Sequence, residues 1–478
     1  MSSVTELSPK KVFKYFSEMS LIPRGSYNMV GIADYIESFA RSHSLEFYRD
    51  GANNVVIYKG AAKGYENAAP VILQGHLDIV CQADEGRGID FLRDGLDLFV
   101  DGDFVRARGT TLGADNGIAA AMILSILDDD ALPHPPLEAV FTTDEEVGML
   151  GAKALELGVL SGKKLINLDS EDDDVLTVSC AGGSDFCVSM PTERRPSRGC
   201  KVTLKLFGLA GGHSGVEINK GRVNANILAG RVLSHIKTGF DIISLDGGTK
   251  DNAIPFSHEA VLCTREPDAL VGELTEYLET VKKEISEREK GFSYEITKGG
   301  EGKYSVLGRT CARDIKYTLL LVPNGVVEMS AEIEGLVETS LNLGILATTD
   351  DKIDLSFALR SNKKSALDFL EERMSAFFAP MNCTVETGGH YPPWEYREDS
   401  PLRRLYVECY REQRGSEPKI EAIHAGLECG VFASKTEGVD CIAMGPTVKG
   451  AHTTDERLLI PSVGRTFDLV LEILKRSK

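Results

Sequence analysis

Four short apolar runs, each ending in imidazole or carboxylate side chains and each set apart by helical stretches, constrain this chain more than any other feature. Val71-Ile-Leu runs into Gln74-Gly-His76-Leu-Asp78, and Leu137-Glu-Ala-Val-Phe141 runs into Thr142-Thr-Asp-Glu145-Glu146. Lys164-Leu-Ile-Asn-Leu168 runs into Asp169-Ser-Glu-Asp, and Val439-Asp-Cys-Ile-Ala-Met444 runs into Gly445-Pro-Thr-Val-Lys-Gly-Ala-His452. Runs of this length between helices predict the strands of a mostly parallel α/β sheet. In such sheets ligands bind beyond the carboxyl ends of the strands, so the four endings are expected to face one site.

On an extended strand, side chains two apart share a face, so His76 and Asp78 address one point in space. A fifth donor, Asp115, lies in Thr111-Leu-Gly-Ala-Asp115-Asn-Gly-Ile-Ala-Ala-Ala-Met122, a glycine-flanked loop opening an alanine-rich helix. His76, Asp115, Glu146, Asp169 and His452 make a hard or borderline donor set with no cysteine. That chemistry favours Zn²⁺, Mn²⁺ or Co²⁺ over a thiolate site. Two ions suit it better than one, because a carboxylate such as Asp115 can bridge ions about 3.5–4 Å apart, a geometry for metal-assisted hydrolysis.

The rest of the chain sets the frame. Of 478 residues, 42% are hydrophobic and 26% charged, which is an ordinary globular balance. The net charge of −19 leaves no large basic surface, so nucleic acid is not an expected partner. Ten cysteines form no C-x-x-C pair, which argues against zinc ribbons and redox dithiols and predicts reduced thiols in the cytoplasm. No stretch reaches the roughly 18 apolar residues of a membrane span. Residues 8–45 read as two amphipathic helices broken at Pro23-Arg-Gly25. From about Gly183 the texture changes to alternating strands, with helices predicted from about Leu270 to Arg288 and from Ala366 to Phe378. The expected organisation is an α/β catalytic domain over 1–183 and 393–478, with an inserted α+β domain over 184–392.

The set His76-x-Asp78, Gly113-Ala-Asp115-Asn-Gly, Asp144-Glu-Glu146-Val-Gly, Asp169 and Gly445-Pro…His452 resembles the M20 di-metal peptidases, in order and along nearly the whole chain. The Gly211-Gly-His213-Ser-Gly215 stretch matches one in that family's lid domain. Four longer stretches are most similar to the aminoacyl-histidine dipeptidase, carnosine-cleaving branch. These are Gln74-Gly-His-Leu-Asp-Ile-Val-Cys81, Thr110-Thr-Leu-Gly-Ala-Asp-Asn-Gly117, Asn219-Lys-Gly-Arg-Val-Asn-Ala-Asn226 and His424-Ala-Gly-Leu-Glu-Cys429.

The resemblance implies a set of roles. His76 and Asp169 would hold one ion, Glu146 and His452 the other, and Asp115 would bridge; Zn²⁺ comes first, with Mn²⁺ or Co²⁺ as alternatives. Glu145 would be the general base, taking a proton from water held between the ions and passing it to the leaving amine. Asp78 would orient the His76 ring. His213 would stabilise the tetrahedral intermediate, in cis or across a dimer. Asn252 and Arg360 would hold the substrate's C-terminal carboxylate, and Glu428 its free α-amino group. The implied activity is hydrolysis of unblocked dipeptides such as Xaa-His, by a protein whose inserted domain serves as lid and homodimer contact. A broader aminopeptidase, an N-acyl-amino-acid deacylase and a silent peptide-binding relative stay open as alternatives.

Several residues invite plainer readings. His43, His134, His235, His258 and His390 read as packing residues, and His424 has no assigned role. The acidic run Glu171-Asp-Asp-Asp174 reads as a solvated loop, and Lys220 with Arg222 as solvated surface. Cys81, Cys180 and Cys429 read as small packing residues.

Overall fold

The four apolar runs form adjacent strands of one sheet in the computed structural model, which describes residues 3–478. They lie in the order Leu137–Thr142, Val71–His76, Lys164–Asn167, Asp440–Ala443 and run parallel, so their carboxyl ends share one edge. The margins run the other way. Glu46–Arg49 and Val55–Lys59 add antiparallel pairs on one side, and Val175–Cys180 pairs antiparallel with Asp440–Ala443 on the other. The sheet is therefore mixed around a parallel centre.

Helices cover that sheet because of where their apolar residues fall. Lys10–Ser20 buries Val12, Phe13, Tyr15, Phe16 and Met19, and Val30–Ser42 buries Ile32, Ala33, Ile36 and Phe39. Spacing of three and four puts each set on one stripe. The Ala114–Leu127 helix differs, being buried on all sides from Asn116 to Leu127. Its alanines let the Lys10–Ser20 helix and the Val71–His76 strand approach closely. Fully buried aliphatic side chains such as Ile118 and Ile123 each contribute about 1.5–3 kcal/mol relative to exposure.

A small four-stranded sheet, invisible to the sequence reading, joins Val448–Lys449, Arg457–Leu459, Phe104–Ala107 and Leu98–Asp101. Its strands are too short for a period-two pattern to register.

The chain divides into two compact units. The first comprises Met1–Cys180, Trp394–Ala422 and Leu427–Lys478; the second comprises Ala181–Pro393 and Ile423–Gly426. The tetrapeptide Ile423–Gly426 groups with the second unit because Ala181 N–H reaches the Ile423 and Ala425 carbonyls. His424 also hydrogen-bonds Ser340 and Asn362 there. In the second unit a nine-stranded sheet is covered by helices Ala225–His235, Pro267–Ile285, Arg309–Leu321 and Lys364–Phe378, which share one hydrophobic core with it. No described helix is long and apolar enough to cross a membrane.

Candidate metal centre

Each of the five expected donors is delivered by the end of a strand or helix, or by a hairpin loop, in the first unit. His76 ends the Val71–His76 strand, Glu145 and Glu146 follow Leu137–Thr142, and Asp169 follows Lys164–Asn167. Asp115 opens the Ala114–Leu127 helix, and its own φ/ψ of −79° and 104° lie outside the helical region. His452 stands on the loop between Val448–Lys449 and Arg457–Leu459, with φ of 63°.

The five converge. His76 Nε2 is 3.1 Å from Asp115 Oδ1 and 3.5 Å from Asp169 Oδ1. His452 Nε2 is 3.0 Å from Asp115 Oδ2 and 3.0 Å from Glu146 Oε2. Asp115 thus turns one carboxylate oxygen to each imidazole, and two half-nests share it. Ligand atoms of His76, Asp115 and Glu146 lie within 4.8 Å of one another. Donors placed tetrahedrally at about 2.0–2.1 Å from a zinc ion stand about 3.3 Å from each other, so the separations of 3.0–3.5 Å within each half-nest fit one cation apiece. Glu146 Oε1 is buried and has no hydrogen-bond partner, an oxygen in need of a counter-charge.

The electrostatics agree with that fit. Burial opposes the charged form of the His76 ring, yet Asp169, Asp115 and Asp78 outweigh it and hold its pKa well above the usual imidazole value. Hydrogen bonds to Asp115 and Glu146 push His452 up to about 11. Burial would raise Asp115, but the two imidazoles overcome it and hold the carboxyl low. Burial raises Glu146, partly offset by His452. Without cations, the two rings supply the positive charge that faces Asp115 from both sides.

Glu145 takes a different position from its neighbour. Its Oε2 is 3.9 Å from His76 Nε2, and burial, aided by Asp169, Glu428 and Glu146 against the opposing His76, raises its pKa well above the ordinary carboxyl value. Asp78 pins the pair: Oδ1 accepts the Glu145 N–H at 2.9 Å and Oδ2 accepts the Glu146 N–H at 3.1 Å and the Ser26 hydroxyl at 2.9 Å. The His76 Nδ1 meets the Asp78 backbone carbonyl at 3.1 Å, with Oδ1 slightly farther at 3.4 Å. Asp78 therefore orients Glu145 and Glu146 as much as the His76 ring. Asn116, absent from the expected set, receives the His76 N–H on Oδ1 and donates Nδ2 to the Leu168 carbonyl, beside Asp169.

Glu428 is fully buried. Its Oε2 accepts hydrogen bonds from Gln74 and from Thr142, and Gln74 in turn accepts from Asn167. Burial pushes its pKa up to about 8, so it is mostly neutral at pH 7. It sits among sheet side chains, with no open face of its own.

His213, Asn252 and Arg360 lie in the second unit. The Gly212–His213 strand pairs with Ala253–Ile254, and the Asn252 carbonyl accepts the Ser214 N–H at 2.9 Å. His213 Nδ1 accepts the N–H groups of Gly215 and Val216 at 3.0 and 3.2 Å, which leaves the ring proton on Nε2. Burial, then the charge of Arg360, lowers the His213 pKa and keeps the ring neutral. Arg360 donates Nη1 to the Tyr391 hydroxyl at 2.6 Å, and its buried Nε has no partner. His424 is buried between Ser340 and Asn362, and burial lowers it to about 3.

Three plain readings fail, the first being that of His43, His235 and His390, which are exposed rather than packed inside a core. Asp173 is not solvated: it accepts Arg465 Nε and Nη2 at 2.7 and 2.9 Å, Arg414 Nη2 at 2.9 Å and the Thr447 hydroxyl at 2.8 Å. These partners lie some 240–290 residues away, beyond any local pattern. Arg222 is not free surface either, since it pairs with Glu217 and donates to the Gly211 carbonyl, bracing the turn that carries His213.

A parallel-centred sheet with a carboxylate shared between two imidazole half-nests defines a metallohydrolase site. The model of peptidase family M20/M25/M40 matches residues 72–476, and the chain belongs to that family. It is 37% identical to the cytosol non-specific dipeptidase of Escherichia coli (strain K12), over 99% of each chain. Among solved structures, the aminoacylhistidine dipeptidase of Vibrio alginolyticus superposes with a TM-score of 0.89 at 35% identity, covering 99% of this chain and 98% of that one. Aminopeptidase PepT of Bacillus cereus, at 15% identity and a TM-score of 0.57 over 98% of this chain and 99% of that one, shares the fold.

Proposed function

We propose that this peptidase is a di-metal dipeptidase that hydrolyses Xaa-His and related unblocked dipeptides. The observation that carries this reading is Asp115, whose two oxygens each face one imidazole. His76, Asp115 and Asp169 would hold one divalent cation and Glu146, Asp115 and His452 the other, Zn²⁺ first and Mn²⁺ or Co²⁺ as alternatives. Bound there, the cations would act as Lewis acids on the scissile carbonyl and the attacking water.

The protein's own groups do the rest. Glu145, held 3.9 Å from His76 by the Asp78 bond to its backbone, takes a proton from water and returns it to the leaving amine. Its raised pKa suits a group that must both accept and give a proton near neutral pH. His213, with its proton on Nε2, donates to the carbonyl oxygen as negative charge develops. Arg360 and Asn252 hold the substrate's C-terminal carboxylate, the guanidinium fork matching its geometry. Glu428, expected at the substrate's α-amino group, is fully buried and in this reading braces Gln74 and Thr142 at the strand ends instead. A lid and homodimer role for the second unit and a cytoplasmic location belong to the same proposal.

The E. coli relative, a non-specific dipeptidase, supports a second reading, broad dipeptide specificity. One assay separates the alternatives. Chelator-treated and metal-restored enzyme is given β-Ala-His, several Xaa-His and Xaa-Leu dipeptides, and their N-acetylated forms. Metal-dependent cleavage of the free Xaa-His set is expected, and equal rates on Xaa-Leu give the broad reading. Preference for blocked substrates would indicate a deacylase, and metal-independent cleavage would remove the proposal.

A further inference from the structure

We propose that Glu456 and Arg24 are positioning residues for the shared carboxylate, a buried anion and a buried cation that grip the 112–115 backbone and set the direction of Asp115. Both are 2% exposed. Glu456 Oε2 accepts the N–H groups of Leu112 and Gly113 at 2.8 and 3.0 Å; Oε1 accepts those of Ala114 and Asp115 at 2.8 and 3.3 Å. Four consecutive donors fill the four lone-pair sites of one carboxylate. They include the unsatisfied N–H groups at the start of the Ala114–Leu127 helix, so Glu456 acts as a cap supplied from the far end of the chain.

Arg24 grips the carbonyl side. Its Nη2 donates to the Gly113 carbonyl at 2.7 Å and its Nη1 to the Leu77 carbonyl at 2.8 Å. Leu77 lies between His76 and Asp78, so one guanidinium ties the Asp115 loop to the strand end that presents His76. The glycines around Asp115 make this possible. A Cβ at Gly117 would come within 2.3 Å of Arg24 Nη2, and one at Gly113, whose φ is +65°, within 2.9 Å. Glycine there admits the guanidinium; a Cβ at either position would force it to shift.

The inference rests on reading the nest as a metal centre, and the experiment separates the two. Zn²⁺ is titrated calorimetrically into chelator-stripped parent, Glu456→Gln, Arg24→Lys, Glu138→Gln and Asp115→Asn proteins, with far-ultraviolet circular dichroism and metal-free melting on each. Glu456→Gln turns an amide nitrogen toward two of the four N–H donors and is expected to weaken binding about 10–100-fold, as loss of groups that orient ligands does. Arg24→Lys keeps the charge but not the fork and shifts affinity the same way, which keeps the test decisive if Glu456→Gln does not fold. Glu138 is the matched control: a buried carboxylate taking the Ser161 and Gly162 N–H groups at the other end of its strand, whose loss lowers melting but not affinity. Parent-like affinity in Glu456→Gln and Arg24→Lys, or an equal loss in Glu138→Gln, overturns the proposal. If Asp115→Asn loses binding in that case, the metal-centre reading survives; if Asp115→Asn binds like the parent, both fall.

Discussion

Replacing Asp173 by Asn tests whether an acidic run in this sequence is a structural hub. The carboxylate is 9% exposed and receives four hydrogen bonds, from Arg465 twice, Arg414 and Thr447. Bonds to a charged group contribute about 1.5–3 kcal/mol each in isolation, but these share one acceptor and do not add. The Arg465 side chain is 39% exposed, so its pair of bonds is discounted for solvent screening. Breaking a buried pair costs about 3–5 kcal/mol, and the exposure of Arg465 places this one near 3 kcal/mol. For a unit of this size, about 3 kcal/mol lowers the melting temperature by about 6–12 °C.

The pH dependence gives a second check on the same variant. Burial would raise the Asp173 pKa, but bonds from Arg465, Thr447 and Arg414 hold it below the ordinary carboxyl value. A depressed folded pKa contributes stability that is present above the unfolded value, near 3.9, and is lost as pH falls through the folded one. Thermal unfolding of chelator-treated parent and Asp173→Asn, followed by circular dichroism from pH 7 to pH 3, should show the gap narrowing in acid. A gap below about 1 kcal/mol at pH 7, or one undiminished at pH 3, would refute the hub.

Three further outcomes are expected. Glu145→Gln should lower kcat about 10²–10⁴-fold while metal content by atomic absorption stays at the parent value. Because the carboxylates raise His76 and His452, the latter to about 11, both rings are protonated at pH 7 in the metal-free protein. Metal uptake should therefore release about two protons, read as a buffer-dependent calorimetric enthalpy, and affinity should fall as pH drops. In the metal-free fold the stability from His452 is complete below its unfolded pKa and fades only as pH climbs through about 11. Gly117→Ala should lower stability by about 1–3 kcal/mol by chemical denaturation, and by clearly less in an Arg24→Gln background, since the added methyl meets the guanidinium.

The chemistry of the centre was legible because it sits where local pattern and topology coincide. A strand announces itself over a few residues, and the rule that ligands gather at strand ends turns four such runs into one site. The helices Lys10–Ser20 and Val30–Ser42 were legible for the same reason, their period lying within one turn of chain. What was hidden depends on partners far away. Asp173 looked solvated because Arg414 and Arg465 lie hundreds of residues on. Glu456 carried no signal because its four donors are backbone groups, which have no sequence identity. Arg24 read as part of a break between helices, since nothing local shows that a cation is buried. Arg222 was missed for want of the turn it braces.

One hairpin, Val448–Lys449 with Arg457–Leu459, carries both His452 and Glu456 on its tip. The same few residues thus touch one imidazole directly and, through the Asp115 backbone, the carboxylate common to both halves of the nest. A disturbance of this tip should therefore reach both halves of the nest at once rather than one alone.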